Sequence, residues 1–302
     1  MTKTYDLIII GAGPAGITAA VYAARKKMDF LVVTGDIGGQ AAWSGDIENY
    51  TGYQFITGPE LAQKFEEHMR KYNIPVKEQE EAVEVESLGK EILVKTNKTE
   101  YKTKTVIIAS GKRSKELGVP GEKEFKNRGL TYCATCDGPI FSGKDVAVIG
   151  GGNSALDAVL QLIRIANKVY VINNAPVLGG DPIMRQKVEE AGNVTIFNSS
   201  TVGAISGSKM LESVTVKKGS ESKTLSVQGV FVEIGLIPNS GFVKNVEKNN
   251  YGEIKINSRN ETSIPGIFAA GDVTDTPQKQ IIIAAGEGSK AALSAFHYLA
   301  KH

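Results

Sequence analysis

Cys133-Ala134-Thr135-Cys136-Asp137 holds both cysteines of the chain and lies between two glycine-rich runs, Gly11-Ala12-Gly13-Pro14-Ala15-Gly16 and Gly150-Gly151-Gly152-Asn153-Ser154-Ala155. A Cys-x-x-Cys pair can cycle between two thiols and a short-loop disulfide, and glycine turns of this kind bind dinucleotides. The combination predicts electron transfer between a nucleotide cofactor and a dithiol. The same cysteine spacing is half of many zinc sites. Zinc needs about four ligands, however, and the chain has no second cysteine pair and only His68, His297 and His302 as histidines. No metal is therefore expected. A purely structural disulfide needs an oxidising compartment, and Met1 to Asp6 leads straight into a strand without the look of a secretory signal. Asp137 is a candidate proton donor or acceptor beside the sulfurs, and its other reading is a helix-capping aspartate.

These residues need a scaffold. Tyr5 to Ile10 reads as a buried parallel strand, Gly11 to Gly16 as a tight turn, Ile17 to Lys27 as an alanine-rich helix, and Phe30 to Val33 as the next strand. In such a unit Gly11 permits the turn, Gly13 lets the backbone approach a pyrophosphate, and Gly16 allows close packing of helix on strand. The pattern repeats as the strand Asp145 to Ile149, the helix Ser154 to Ile165 and the strand Lys168 to Ile172, with Ala155 in place of the third glycine. Glu78 to Lys104 reads as short antiparallel strands followed by a buried strand Thr105 to Ala109, and a similar meander is expected in Ser213 to Lys217 and Thr224 to Val227. Gly266 to Asp272 reads as a strand delivering Asp272 at its carboxyl end, where open α/β sheets bind ligands. Ala284 to Leu299 reads as a helix.

Length and composition set bounds. The 302 residues suffice for about two domains, and 41% hydrophobic with 23% charged residues is ordinary for a cytoplasmic enzyme. A net charge of +2 gives no electrostatic case for nucleic acid or an anionic membrane. No apolar run approaches the roughly 20 residues of a membrane-spanning helix.

Taken in order, Gly11 to Gly16, Gly38-Gly39-Gln40, Ile47-Glu48-Asn49, Cys133 to Asp137, Gly150 to Ala155, Gly271-Asp272 and Gln280 resemble the low-molecular-weight thioredoxin reductases over nearly the whole chain. Gly129 to Pro139 and Gln280 to Phe296 are also similar to the flavoprotein subunit of alkyl hydroperoxide reductase, without its additional thioredoxin-like N-terminal region. The resemblance implies an α/β protein of two Rossmann-like, three-layer ββα domains, the second inserted into the first. An FAD domain would comprise residues 1–113 and 245–302, and an inserted NAD(P)-type domain, residues 114–244, would carry the dithiol. It further implies that Gly11, Gly13, Pro14, Ala15, Gly39, Gln40, Asn49, Ala109, Gly111, Gly271, Asp272, Gln280 and Ile281 surround FAD. Cys136 would face the flavin and Cys133 would attack the disulfide of thioredoxin, in a homodimer. Because the dithiol must meet both the flavin and a protein partner, the resemblance also implies a rotation of the inserted domain, with hinges expected near Gly111 to Gly121 and Leu236 to Gly241.

The electron donor departs from that family. Its NADPH users follow the second strand of the inserted unit with a His-Arg-Arg type cluster that grips the 2'-phosphate. NADH users would place Asp or Glu there for the ribose. Here the segment reads Asn173-Asn174-Ala175-Pro176-Val177-Leu178, followed by an insertion-like Gly179-Gly180-Asp181-Pro182, with Arg185 the one nearby cation. The first unit also lacks an acid at its strand end, with Thr34-Gly35 there. The reading favours reduced ferredoxin as donor, with Lys112, Arg113 and Lys115 as candidate docking residues. NADPH, NADH, or a flavin-dependent dithiol oxidase that passes electrons to oxygen are the alternatives.

Overall fold

The computed structural model describes residues 3–44 and 46–301. The expected domain ends Met1 and His302 lie outside the described residues. The chain divides into two compact units, one holding the residues up to Arg113 and those from Ile237 onward, the other holding Ser114–Leu236. The return from the second unit therefore falls at 236–237, earlier than the expected 244–245. The reason is packing, because Val243 and Val246 are buried among Val85, Ile254 and Val273 of the first unit.

The first unit is built on a parallel sheet. Its strands run in the order Val76–Lys77, Phe30–Ile37, Thr4–Ala12, Glu100–Ile108. The last of these pairs in parallel with Ile267–Ala269 along its carboxyl half and with the antiparallel hairpin Ala82–Ser87 and Ile92–Thr96 along its amino half. Leu7, Ile8, Ile9 and Ile10 are all buried because both faces of the strand are covered. On one face, Leu7, Ile9 and Ile107 pack with alanines of the helices Pro14–Arg25 and Ile281–Leu299. On the other, Ile8, Ile10, Val106 and Ile108 meet Val85, Val94, Val243 and Ile254. Each such fully buried aliphatic side chain contributes about 1.5–3 kcal/mol. The helix Gly58–Lys71 is absent from the sequence expectations, although its Thr57 and Glu60 form a capping box.

The second unit repeats the plan. A parallel sheet runs in the order Leu130–Thr131, Gly229–Val232, Asp145–Ile149, Lys168–Ile172, Val194–Phe197. The helix Asn153–Leu162 covers one face through Leu156, Val159 and Leu162, which pack with Val146, Val148 and Phe231. The antiparallel strands Thr201–Gly207, Leu211–Lys218 and Glu221–Ser226 cover the other, through Val214, Val216 and Leu225. Each unit is thus a three-layer α/β sandwich of the expected class. Among the described residues, no helix is long and apolar enough to cross a membrane.

Candidate active site

In the first unit, Gly11 has a φ of +101°, and a Cβ on it would collide with the Ala109 carbonyl. Gly13 differs. Among the described residues, a Cβ on it would meet only the Gly39 Cα, 4.0 Å away, so a side chain would fill open space at the start of the helix Pro14–Arg25. Space faced by helix amides fits a pyrophosphate. Ala15 in turn lies against the C-terminal elements: a Cβ on Gly271 would stand 3.0 Å from its own Cβ, and one on Gly288 would strike its carbonyl. The buried Glu287 accepts the Gly271 N–H at 2.7 Å and hydroxyls of Thr274 and Thr276, fixing the turn that presents Asp272. Gly11, Gly13, Pro14, Ala15, Gly39, Ala109, Gly271 and Asp272 are thereby brought to one edge of the sheet.

Of the remaining expected residues, Gln40 and Gln280 border a buried ionic cluster. Gln40 donates its amide to the Lys112 carbonyl, and the Lys112 ammonium pairs with Glu253. Lys279 reaches the same carboxylate at 3.3 Å and donates to the Thr274 carbonyl at 2.6 Å. Its neighbour Gln280 accepts the Asn49 amide at 3.2 Å, and Ile281 begins the last helix. The Gly111 carbonyl accepts the Asn239 N–H at 3.0 Å. Burial pushes Asp272 up, with Lys279 and Lys112 pulling it partly back. Burial likewise pushes Lys279 down, helped by the like charge of Lys112. Burial opposes ionisation of Glu253, yet Lys112, Asn249 and Lys279 outweigh it and hold that carboxyl below its usual range. Lys112 is only 6% exposed, so the expectation that it docks a protein is corrected: it is an internal ion-pair residue.

The strand end that lacked an acid acquires one from elsewhere. Thr34 accepts the Ala12 N–H at 3.1 Å and donates to the Asp36 carbonyl. Beside it, a Cβ on Gly35 would lie 3.1 Å from Glu81 Oε1. The Glu80 N–H bonds to the Thr34 carbonyl at 3.0 Å and holds that segment in place. Reading along the strand misses Glu81, because no local pattern links the two segments.

In the second unit Gly150 has a φ of +135°, and a Cβ on it would collide with the Glu233 carbonyl. Gly152 has open space like Gly13, so room for a pyrophosphate is retained. The strand end is different. Asn173 is 2% exposed. Its amide nitrogen lies within hydrogen-bond distance of the carbonyls of Ala175 and Val177 and of Asn198 Oδ1, at 3.1, 2.9 and 2.8 Å, and its own Oδ1 accepts the Ala175 N–H at 3.2 Å. An amide has two N–H groups, and both are committed to the protein. The segment that Gly179 opens is tied back to the glycine turn. The Gly179 N–H bonds to the Gly151 carbonyl at 2.8 Å, as the Gly38 N–H does to Ala12 at 2.8 Å in the first unit. Asp181 then caps the helix Pro182–Glu189. Arg185 lies 3.5 Å from the Leu178 carbonyl and 3.9 Å from Glu189.

Cys133 and Cys136 are joined as a disulfide with a Cα separation of 5.3 Å, around the short helix Ala134–Asp137. The Cys136 N–H points at Cys133 Sγ at 3.2 Å, and the Cys133 N–H at Thr131 Oγ1, also 3.2 Å. Thr131 donates its hydroxyl to Asp137. The capping alternative for Asp137 is set aside, since its side chain makes no capping bond to the following turn. Both cysteine residues are partly exposed. Among the described residues, no group of three or more His, Cys, Asp or Glu side chains is arranged to hold a metal. A second carboxylate that sequence reading missed is Glu233, which faces the Ala134 N–H; burial pushes it up to about 7, with that N–H pulling it partly back.

Residues 5–288 match the family model described as pyridine nucleotide-disulphide oxidoreductase. The chain is 42% identical over 303 residues to an NADH dehydrogenase of Bacillus subtilis (strain 168), covering 99% of this chain and 60% of that one. It is 41% identical to the F component of the alkyl hydroperoxide reductase of Pseudomonas aeruginosa, covering 98% and 58%. The chain thus spans about three-fifths of the length of these curated relatives. Among solved structures, a thioredoxin reductase from Streptococcus pyogenes superposes with a TM-score of 0.94 at 37% identity, covering all of both chains. A ferredoxin-flavin thioredoxin reductase from Clostridium acetobutylicum gives 0.56 at 30% identity, again over all of both chains.

Proposed function

The chain belongs to the pyridine nucleotide-disulphide oxidoreductase family, a family of FAD-binding flavoproteins, and on that premise we propose that it is a thioredoxin-disulfide reductase driven by reduced ferredoxin. The observation that carries the reductase reading is the partly exposed Cys133–Cys136 disulfide in a unit of the same plan as the dinucleotide unit. Bound FAD would supply the two-electron carrier, with Gly13, Gly39, Gln40, Asn49, Asp272 and Gln280 holding it. The disulfide takes two electrons and one proton and opens to a thiol and a thiolate. The thiolate of Cys133 attacks the thioredoxin disulfide, and Cys136 resolves the mixed disulfide, releasing reduced thioredoxin and restoring Cys133–Cys136. Asp137, positioned by Thr131, handles the proton at the sulfurs.

The donor reading rests on Asn173. Its amide is spent on its own loop and on Asn198, and the residue itself offers neither a carboxylate for a ribose nor a guanidinium for a 2'-phosphate. Each missing charge-assisted bond weakens nucleotide binding by about 1.5–3 kcal/mol, one to two orders of magnitude. A second reading, NADH as donor, is favoured by the open space at Gly152 and by the NADH dehydrogenase relative. Anaerobic stopped-flow reduction of the flavin by ferredoxin, NADH and NADPH separates the two. Reduced ferredoxin is expected to bleach the flavin and support thioredoxin reduction, with both pyridine nucleotides slow. Rapid bleaching by micromolar NADH without a ferredoxin response overturns the donor assignment. In the same assay Cys133→Ser and Cys136→Ser keep the yellow colour and lose multiple turnover, while Asp137→Asn slows turnover by roughly 10- to 10,000-fold.

A further inference from the structure

We infer that Glu233 is a proton-coupled positioning residue of the dithiol, taking up a proton when Cys133–Cys136 is reduced; this rests on the reading of that pair as a working redox couple. Glu233 follows the strand Gly229–Val232, between the strand Leu130–Thr131 that leads into the dithiol turn and the strand Asp145–Ile149 that leads into Gly150. Its N–H bonds to the Ile149 carbonyl at 2.8 Å, and its carbonyl blocks any side chain at Gly150. Its carboxylate faces the N–H of Ala134, the residue after Cys133. Covalent geometry then puts the carboxylate within roughly 8 Å of the Cys133 sulfur.

The charged groups on the surrounding elements are Asp157 on the helix Asn153–Leu162, Asp137 in the dithiol turn and Lys115, whose side chain lies beside Gly235. Burial pushes the Glu233 carboxyl up to about 7, the Ala134 N–H pulls it back, and Asp157 adds a like charge. The group is therefore poised between its two forms near neutral pH. Reduction of the disulfide adds negative charge nearby. At an effective dielectric near 20, two like charges about 7 Å apart shift a proton equilibrium by tens-fold. With a small dithiol such as dithiothreitol as reductant, the Cys133–Cys136 S–S bond breaks and the reductant's own S–S bond forms. Of the two protons the reductant releases, one stays on a cysteine sulfur and one goes to Glu233, leaving one thiolate. The net charge of the site is the same before and after.

The test is the equilibrium of the isolated flavoprotein with dithiothreitol and its oxidised form between about pH 6 and 8.5, read by alkylating the free thiols and weighing the protein. Above the Glu233 titration, the wild-type dithiol-to-disulfide ratio is expected to fall an extra tenfold per pH unit relative to Glu233→Gln, about 30 mV for a two-electron couple. The two slopes converge at the acid end, where Glu233 is already protonated. Parallel slopes across the range overturn the inference. Should the Gln variant fail to fold, difference infrared spectroscopy of carboxyl-labelled wild type supplies the answer: reduction at mildly alkaline pH must raise a carboxylic-acid C=O band, and its absence is equally fatal. Neither measurement uses thioredoxin or an electron-donor protein, so failure of thioredoxin turnover and failure of this proton coupling are separate results.

Discussion

The two glycine turns share a backbone and differ at the neighbouring strand end. Gly11 and Gly150 both sit at positive φ, Gly13 and Gly152 both face open space, and Gly38 and Gly179 each close the turn with one hydrogen bond. Beside the first turn stands a carboxylate, Glu81, brought in from another segment. Beside the second stands an amide, Asn173, held by Asn198 and its own loop. A glycine fingerprint therefore certifies the strand-turn-helix geometry, and the side chains that gather at the strand end decide what the geometry can hold.

The hardest test of that contrast is to block each turn in the same way. Gly13→Val is expected to give a folded, colourless protein that has lost at least a hundredfold in FAD affinity, because the added methyls fill space that no protein atom uses. Gly152→Val should stay yellow with unaltered flavin content. Absorbance and thermal melting check both, and a yellow Gly13 variant breaks the comparison.

A milder test alters the strand ends. Glu81→Gln should weaken FAD retention by about tenfold if its carboxylate holds a ribose hydroxyl, the equivalent of about 1.4 kcal/mol, measured by fluorescence titration of the apoprotein. Asn173→Glu should raise the rate of flavin bleaching by NADH about tenfold. The same substitution should cost about 1–3 kcal/mol of stability, since the acceptors at Ala175, Val177 and Asn198 lose their donor. An unchanged NADH rate in a folded Asn173→Glu protein would show that the strand end does not limit the donor.

A further effect, confined to part of the pH range, is on stability. Glu233 is raised in the folded protein to about 7, against about 4.3 in an unfolded chain. Between those values the native state binds more protons than the unfolded one. Its stabilising contribution is complete below about pH 4.3 and lost as pH rises through 7. Glu233→Gln cannot ionise, so wild type should lose about 1–3 kcal/mol relative to that variant between pH 5 and 8, visible as converging or crossing melting temperatures. Parallel melting profiles would contradict the assigned direction.

Local signals carried much of the molecule. The strands Asp145–Ile149 and Lys168–Ile172 fall where their apolar runs placed them, and the first strand and both turn helices are displaced by only a few residues. The capping box at Thr57 and Glu60 was legible too, and its helix was overlooked. The composition of Gly179 to Pro182 gave no sign that the Gly179 N–H bonds to the Gly151 carbonyl as the Gly38 N–H does to that of Ala12. At Lys112 the sequence misled. A lysine in a basic run reads as surface, and only the pairing with Glu253 makes its burial tolerable.

The order of residues alone pointed to the elements on which the proposed chemistry rests: one Cys-x-x-Cys pair, two glycine turns between strand and helix, and a strand leading to Asp272. These are short-range statements, because glycine conformations, Cys-x-x-Cys spacing and apolar period act over a few consecutive residues. It took the folded chain to show that Glu81 stands beside Gly35, that Lys112 and Lys279 share Glu253, that Asn173 is spent on its own loop and Asn198, and that the Glu233 carboxylate faces the Ala134 N–H. Those partners come from separate strands and loops, and their meeting depends on sheet order and register, which bring distant segments within the few ångströms over which hydrogen bonds and ion pairs act.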